Sequence, residues 1–244
     1  MTELSSLVTM IHETDSWEKR ITTAGRVFPN FIVKIVKPNT GEVLPWGQRG
    51  EIVVNGYGQM SKYLGNEGKT DETLRYHPED LRPNGVGGLG DGSVLRRGMH
   101  TGDEGLLDED GYIVITGRIK DLIIRGGENI APVEIEERLS ENSAIEQASI
   151  VGVPDEKYGE TVGAFLELRA GSQQPSDDDI RSWVRKKLSF FKAPAYIWWI
   201  DGQDERIPQE WPKTTSGKIS KPHLREIAKL AMPSSKIECQ KAKL

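Results

Sequence analysis

Cysteine is almost absent: the 244-residue chain carries one, Cys239. A single thiol excludes an internal disulfide framework and any zinc site built on clustered cysteines, and it fits a reducing compartment. Long apolar runs are missing too. The longest, such as residues 31–36 and 196–200, have strand length and fall far short of the ~18 residues of a membrane span. Nor is there an excess of basic charge. Lys plus Arg number 32 against 37 Asp plus Glu, a net charge of −5, which argues against a nucleic-acid backbone or an anionic membrane as the main partner. The opening residues, Met-Thr-Glu-Leu-Ser-Ser, lack the charged-then-apolar layout of a secretory signal. A soluble intracellular protein is expected, neither secreted nor membrane-spanning nor DNA-binding. With 36% hydrophobic and 28% charged residues the chain is polar but not of disordered composition, and it is long enough to bury a core in one medium or two small domains.

What is present changes character along the chain. The first half reads as strands between turns: Phe31 to Val36, closed by Pro38-Asn39-Thr40-Gly41, then Glu51 to Val54, then Tyr112 to Thr116 after an Asp110-Gly111 turn. No strong amphipathic helix is expected before about residue 130, and short strands of this kind predict a small β-barrel-like or sandwich subdomain. The second half alternates. Residues 132–142 read as a helix with Pro132 at its first position and acidic residues in its opening turns. Strands are expected at 148–153, 161–168 and 196–200. Ser176 heads a capping-box-like start for a helix burying Ile180, Trp183, Val184 and Leu188. Ser220 is placed to cap a last helix with Pro222 early in it and Leu224, Ile227 and Ala228 on one face. The fold class is therefore α+β: a small β-barrel-like subdomain, then a compact α+β C-terminal domain, with the boundary near 117–121.

Two phosphate-loop look-alikes lack the context their mechanism needs. Gly85-Val86-Gly87-Gly88-Leu89-Gly90 satisfies G-x-G-x-x-G, but neither a strand before it nor a helix start after it is present, so it reads as a loop. Gly68-Lys69-Thr70 has Tyr63 where the first glycine of a phosphate loop belongs.

Three segments carry chemistry. His100-Thr101-Gly102-Asp103 presents a carboxylate from a glycine turn, suited to accepting both hydroxyl hydrogens of a ribose; a turn aspartate satisfying its own backbone is the plain alternative. Residues 117–136 place Arg118, Lys120 and a Gly126-Gly127 turn where the two halves join, although linker charges are usually solvated. Pro212-Lys213-Thr214-Thr215-Ser216-Gly217-Lys218 is a small-residue loop ending in a lysine before a helix, able to deliver an ammonium into a cleft or to leave it in water.

Together these segments resemble the adenylate-forming (AMP-binding) superfamily, acyl-CoA synthetase type. Met1-Thr2-Glu3 resembles the end of the family's Gly-Tyr-Gly-Met-Thr-Glu motif. Gly50-Glu51-Ile52 with Tyr63 and Thr70 resembles its G-E-L/I, G-Y and T segment, and His100 to Asp103 resembles Y/F/H-x-T-G-D. Residues 117–136 follow the long G-R-x-K-D motif through G-G-E-N-I to P-x-E-I/V-E almost throughout. Leu188 to Pro194 resembles L-x-x-F/Y-K-x-P, and Pro212 to Lys218 matches P-K-T/N-x-S/T-G-K. The order and spread of six motifs over most of the chain make the match specific. The family's Ser/Thr-rich phosphate loop, S-G-T-T-G-x-P-K-G, is nowhere in this sequence, and Gly98 stands where the family often has an aromatic residue.

The resemblance implies a reaction in two steps, with carboxylic acid, MgATP and coenzyme A as substrates. An acid attacks the α-phosphate of ATP to give an acyl-adenylate, and the thiol of coenzyme A then displaces AMP. It implies that Thr2 and Glu3 help hold phosphate and Mg2+, Glu3 being the metal contact, that Asp103 and Arg118 hold the ribose, and that Lys218 bridges carboxylate and α-phosphate. Lys120 takes the hinge position, about which a lid domain swings the Gly126-Gly127-Glu128 turn towards coenzyme A. On this reading residues 1–119 are the last part of the large AMP-binding domain, 120–232 the mobile lid, and 233–244 a polar tail. Ala242-Lys243-Leu244 resembles a peroxisomal address, implying an import receptor as partner and otherwise a cytoplasmic location. The expectation is an acyl-CoA synthetase-like protein, shortened and not competent alone, which needs its missing N-terminal half. The alternative is a non-catalytic module that docks on an intact synthetase.

Overall fold

The computed structural model describes residues 1–5, 7–76, 97–202, 204–215 and 217–232. The glycine-rich stretch at 85–92, Ser216, Cys239 and the tripeptide Ala242-Lys243-Leu244 lie outside them. The chain divides into two compact units, Met1–Ile119 and Lys120–Leu244. Among the described residues no helix is long and apolar enough to cross a membrane.

The first unit contains β1 (Thr9–Met10), α1 (Trp17–Thr22), β2 (Arg26–Val27), β3 (Phe31–Val36), β4 (Gly50–Gly56), α2 (Glu67–Thr73), β5 (Leu74–Arg75), β6 (Gly98–Leu107) and β7 (Ile113–Arg118). Strands β3, β4, β6 and β5 pair in that order, with β7 on β6, every pairing antiparallel; β1 and β2 form a separate ribbon. The sheet is open rather than a closed barrel. Its core gathers Leu4, Phe31, Ile35, Ile52, Val54, Leu74, Met99 and Ile113. Phe31 lies opposite Gly56, where a Cβ would come within 2.2 Å of the phenyl ring, so only glycine lets this aromatic lie on the sheet.

Gly68-Lys69-Thr70, rejected as a phosphate loop, sits in α2, whose N-cap Asn66 accepts the Lys69 N–H. One local expectation fails: His100 to Asp103 is not a turn but part of the ten-residue strand β6, where pairing with β4 and β7 overrides weak local propensity.

The second unit holds β8 (Ile123–Arg125), β9 (Glu128–Ile130), α3 (Pro132–Ser140), β10 (Ile145–Asp155), β11 (Gly159–Leu168), α4 (Asp177–Arg185), β12 (Tyr196–Trp199) and α5 (Lys221–Ala231). Strand β11 is the hub, antiparallel to β10 and β8 and parallel to β12. Side chains alternate between faces with period two. Val162, Ala164 and Leu166 face a core that includes Ile135 and Leu139 of α3 and Ile180 and Val184 of α4. Phe165, between them, faces the other core with Trp198, Leu224 and Ala228. The helices therefore cover both faces.

Pro132 opens α3, and Ser176 with Asp179 forms a full capping box on α4. Ser220 makes no side-chain cap on α5, whose start is shaped by Pro222 instead. Helix α4 ends at Arg185, so Leu188 packs from beyond it. Trp183 is half-buried: its indole N–H donates to the Arg138 carbonyl at 2.9 Å and its ring lies under the Arg138 guanidinium.

Candidate functional site

In the first unit Asp103 and Arg118 are cross-strand partners on β6 and β7. The Arg118 Nε donates to the Asp103 carboxylate at 2.8 Å, and its Nη1 donates to the Thr101 carbonyl at 3.2 Å. Arg118 is 57% exposed and Asp103 23%. The aspartate is thus held from the side by a guanidinium that still faces solvent.

The backbone there is bulged. Between the pairs Glu51↔Glu104 and Val53↔His100, the single residue Ile52 of β4 faces Thr101, Gly102 and Asp103 of β6. An insertion of this kind disrupts the ladder and leaves backbone groups to be satisfied by side chains. The Thr101 hydroxyl donates to the Ile52 carbonyl at 2.8 Å and accepts the Asp103 N–H at 3.1 Å. Glu51 accepts the Gly102 N–H at 3.2 Å on one oxygen and meets the His100 Nδ1 at 2.8 Å on the other. Gly102 has φ +71°, a left-handed conformation that favours glycine. The Thr-Gly-Asp motif is therefore a strand bulge tied down by its own hydroxyl and by a neighbouring carboxylate.

Burial pushes the Asp103 carboxyl above the ordinary carboxylate value, outweighing the opposing pull of the Arg118 charge. The fold accordingly favours the protonated form. Stability from this group is present below the ordinary value and lost as the pH rises through the raised one. At neutral pH the charge is held against that preference, and its ion pair with a half-exposed arginine contributes little. Asp103→Asn is therefore expected to melt no lower than the native chain at pH 7 by circular dichroism. A fall beyond about 5 °C would contradict this.

Glu3 lies in a short 3-10 turn, Thr2–Leu4, pinned by the buried Leu4. Its carboxylate accepts the Tyr63 hydroxyl at 3.1 Å on Oε1, and its carbonyl accepts the Met60 N–H at 2.8 Å. Burial, then the Glu3 carboxylate, raises the Tyr63 phenol above its ordinary value and keeps it a donor. Tyr63 is in turn held by the Thr70 hydroxyl, which accepts its N–H at 3.0 Å. Thr2 is exposed.

The second unit carries the remaining candidates. Lys120 is exposed in a 3-10 turn, Ile119–Asp121, and Arg225 of α5 grips that turn through Asp121 at 2.7 Å. Gly126 and Gly127, at φ +59° and +90°, form the two-residue link between β8 and β9, a geometry open to glycine at both positions. The Gly126 N–H donates to the Tyr158 carbonyl at 2.8 Å, and Glu128 is exposed. Lys218 ends a loop closed on itself. Thr214 N–H donates to the Lys218 carbonyl at 2.7 Å, Lys218 N–H to the Thr214 hydroxyl at 3.2 Å, and Ser220 N–H to the Pro212 carbonyl at 2.7 Å. Just past it, Lys221 meets Glu136 of α3 at 2.8 Å, and the same carboxylate accepts the Ile150 N–H at 2.8 Å. Glu134 likewise takes Lys192 at 2.6 Å. The two glutamates of the Pro-x-Glu-x-Glu segment thus tie α3 to two distant lysines.

Asp103 and Arg118 are brought together directly, and Glu3 is joined to Tyr63. Lys120, the Gly126–Glu128 turn and Lys218 lie on three separate segments of the second unit. Glu51, Tyr63 and His100 match family motifs but are assigned no task by the resemblance; the available signal was that His100 lies in the same motif as Asp103, and that Glu51 and Tyr63 share one of their own.

Known proteins resemble this chain in sequence and in fold. Residues 1–64 match the model of the AMP-binding enzyme family, and residues 134–218 match that of the AMP-binding enzyme C-terminal domain. The acyl-CoA ligase SID4 of Ajellomyces capsulatus is 45% identical over 229 residues, 94% of this chain and 36% of that protein. The chain belongs to the AMP-binding enzyme family. The acyl-CoA ligase sidI of Beauveria bassiana is 41% identical over 245 residues, covering 100% of this chain and 39% of its own length. This AMP-binding enzyme chain thus spans little more than a third of those relatives and is acyl-CoA synthetase-like. Among solved structures it is similar to the o-succinylbenzoate CoA synthetase MenE of Bacillus subtilis in complex with its acyl-adenylate, with a TM-score of 0.74 at 28% identity over 92% of this chain and 40% of that one. ATP-bound MatB from Rhodopseudomonas palustris gives 0.68 at 29% identity over 85% of this chain and 36% of its own.

Proposed function

We propose that the protein contributes the ribose-binding and lysine-bearing part of an ATP-dependent acid–CoA ligase. The observation that carries this reading is the Asp103–Arg118 pair on its supported bulge. An ionised carboxylate accepts two hydroxyl hydrogens at once, and an adjacent guanidinium orients it and partly offsets the cost of burying its charge. Lys218 supplies the ammonium that offsets charge building on the α-phosphate as a carboxylate oxygen attacks phosphorus and pyrophosphate leaves. In the second step the thiol sulfur of coenzyme A attacks the acyl carbon and AMP leaves. Lys120 sits where the chain passes from one unit to the other, suited to a hinge, and the Gly126-Gly127-Glu128 turn offers bare backbone to a pantetheine chain.

Glu3 fits a magnesium contact. Tyr63 occupies Oε1, Oε2 carries no bond among the described residues, and Mg2+ commonly takes one or two carboxylates, its other positions going to phosphates and water. Bound there with ATP, the ion would neutralise phosphate charge; Thr2, one residue away, offers a hydroxyl to a phosphate oxygen.

A chimera in which this chain replaces the matching part of the Ajellomyces ligase tests the proposal. With ATP, Mg2+, hydroxylamine and a panel of carboxylic acids, it is expected to release an acyl-hydroxamate and pyrophosphate. A folded chimera that releases neither with any acid the parent ligase accepts overturns the reading.

A further inference from the structure

Among the described residues of the first unit, the most deeply buried ion pair is one to which the chemistry above assigns no role. The side chains of Glu51 and His100 are 13% and 8% exposed. Burying a carboxylate is unfavourable unless several donors converge on it. Burial raises the Glu51 carboxyl, but the His100 hydrogen bond and charge, the Gly102 N–H and the Arg75 charge outweigh it and hold the group below the ordinary glutamate range. Glu51 is therefore an acceptor at neutral pH, and one of its two bonds ends on the backbone of the Thr101–Gly102–Asp103 bulge.

We propose that Glu51 is a positioning residue. Through the Gly102 N–H and His100 it locks the bulge that aims the Asp103 carboxylate beside Arg118. Ile52 alone faces three residues of β6, so the ladder cannot serve all their polar groups. The Thr101 hydroxyl serves Ile52 and Asp103, and Glu51 serves Gly102. Without the carboxylate, Gly102 keeps its left-handed conformation but loses the bond that selects it, and Asp103 follows one residue later. Glu104, opposite Glu51 in register, does not substitute, because its carboxylate accepts the Thr116 hydroxyl at 2.6 Å on the β7 side. The ribose role of Asp103 rests on the functional reading above; the locking of the bulge does not.

Amide hydrogen exchange on the full chain, with no nucleotide present, decides it. Glu51→Ala is expected to speed exchange of the Gly102 and Asp103 amides about 10–100-fold, the range for losing a hydrogen bond to a charged group. The β3–β4 amides of Val33 and Val54 should stay within about 3-fold of native. Glu51→Gln keeps an oxygen within reach of Gly102 and should restore protection there. Glu51→Asp, one methylene shorter, keeps the charge and the fold but should expose Gly102 as alanine does, which covers the case in which the alanine variant fails to fold. Unchanged Gly102 exchange in the aspartate variant, or uniform acceleration of every β-ladder amide, overturns the proposal. A chimera that makes no hydroxamate would sink the ligase reading and leave this result untouched.

Discussion

Replacing Lys218 by alanine is expected to slow hydroxamate formation by the chimera about 10²–10³-fold, the range for removing one preorganised donor from a developing oxyanion. The physical case is positional. The loop that carries Lys218 is closed by its own backbone bonds, and Gly217 sits at φ +82° immediately before the lysine. Lys221, three residues on, is clamped to Glu136 at 2.8 Å. With the loop backbone closed and anchored, only the lysine side chain has to be ordered when its ammonium meets a phosphate, so little backbone entropy is lost. Lys218→Arg keeps the charge but presents it as a planar fork, and it should recover only part of the rate. Native-like rates in the alanine variant would remove Lys218 from the reaction.

Truncating Phe165 to alanine is expected to destabilise the second unit by about 3–5 kcal/mol, the usual range for an aromatic core residue. Phe165 is fully buried on β11 and stacks on Trp198 with ring centroids 4.8 Å apart and planes 29° from parallel. The cavity opens against Leu224 and Ala228 of α5, the helix that follows the Lys218 loop. For a unit of about a hundred residues this lowers the melting midpoint by roughly 12 °C or more, read by circular dichroism. Met99, buried in the first unit's separate core, is not touched by the change. A midpoint within about 3 °C of native would show that the core collapses to fill the gap.

Much of the second unit was legible in the residues. Pro132 at a helix start, the Ser176–Asp179 box and the β-branched runs of β10 and β11 are local signals, and each produced its element within a few residues. The first unit was harder. Strand β6 has Gly, His, Thr, Gly and Asp among its ten residues, a composition that locally reads as a turn, and it is a strand because β4 and β7 pair with it on either side. Helix α2 is seven residues long, too short to show a periodic apolar face.

The candidate residues divide in the same way. The family resemblance pointed to Asp103, Arg118 and Lys218, because each lies in a motif written within a few neighbouring positions. Glu51 and Tyr63 matched a motif that implied no task for them. Glu51 lies 51 residues from the Gly102 amide it accepts, and Tyr63 lies 60 residues from Glu3. Capping, turn chemistry and the two-residue alternation act between near neighbours, so they are written in the order of the residues. The partner of a buried carboxylate is chosen by which strands lie side by side, and that choice exists only once the sheet has formed.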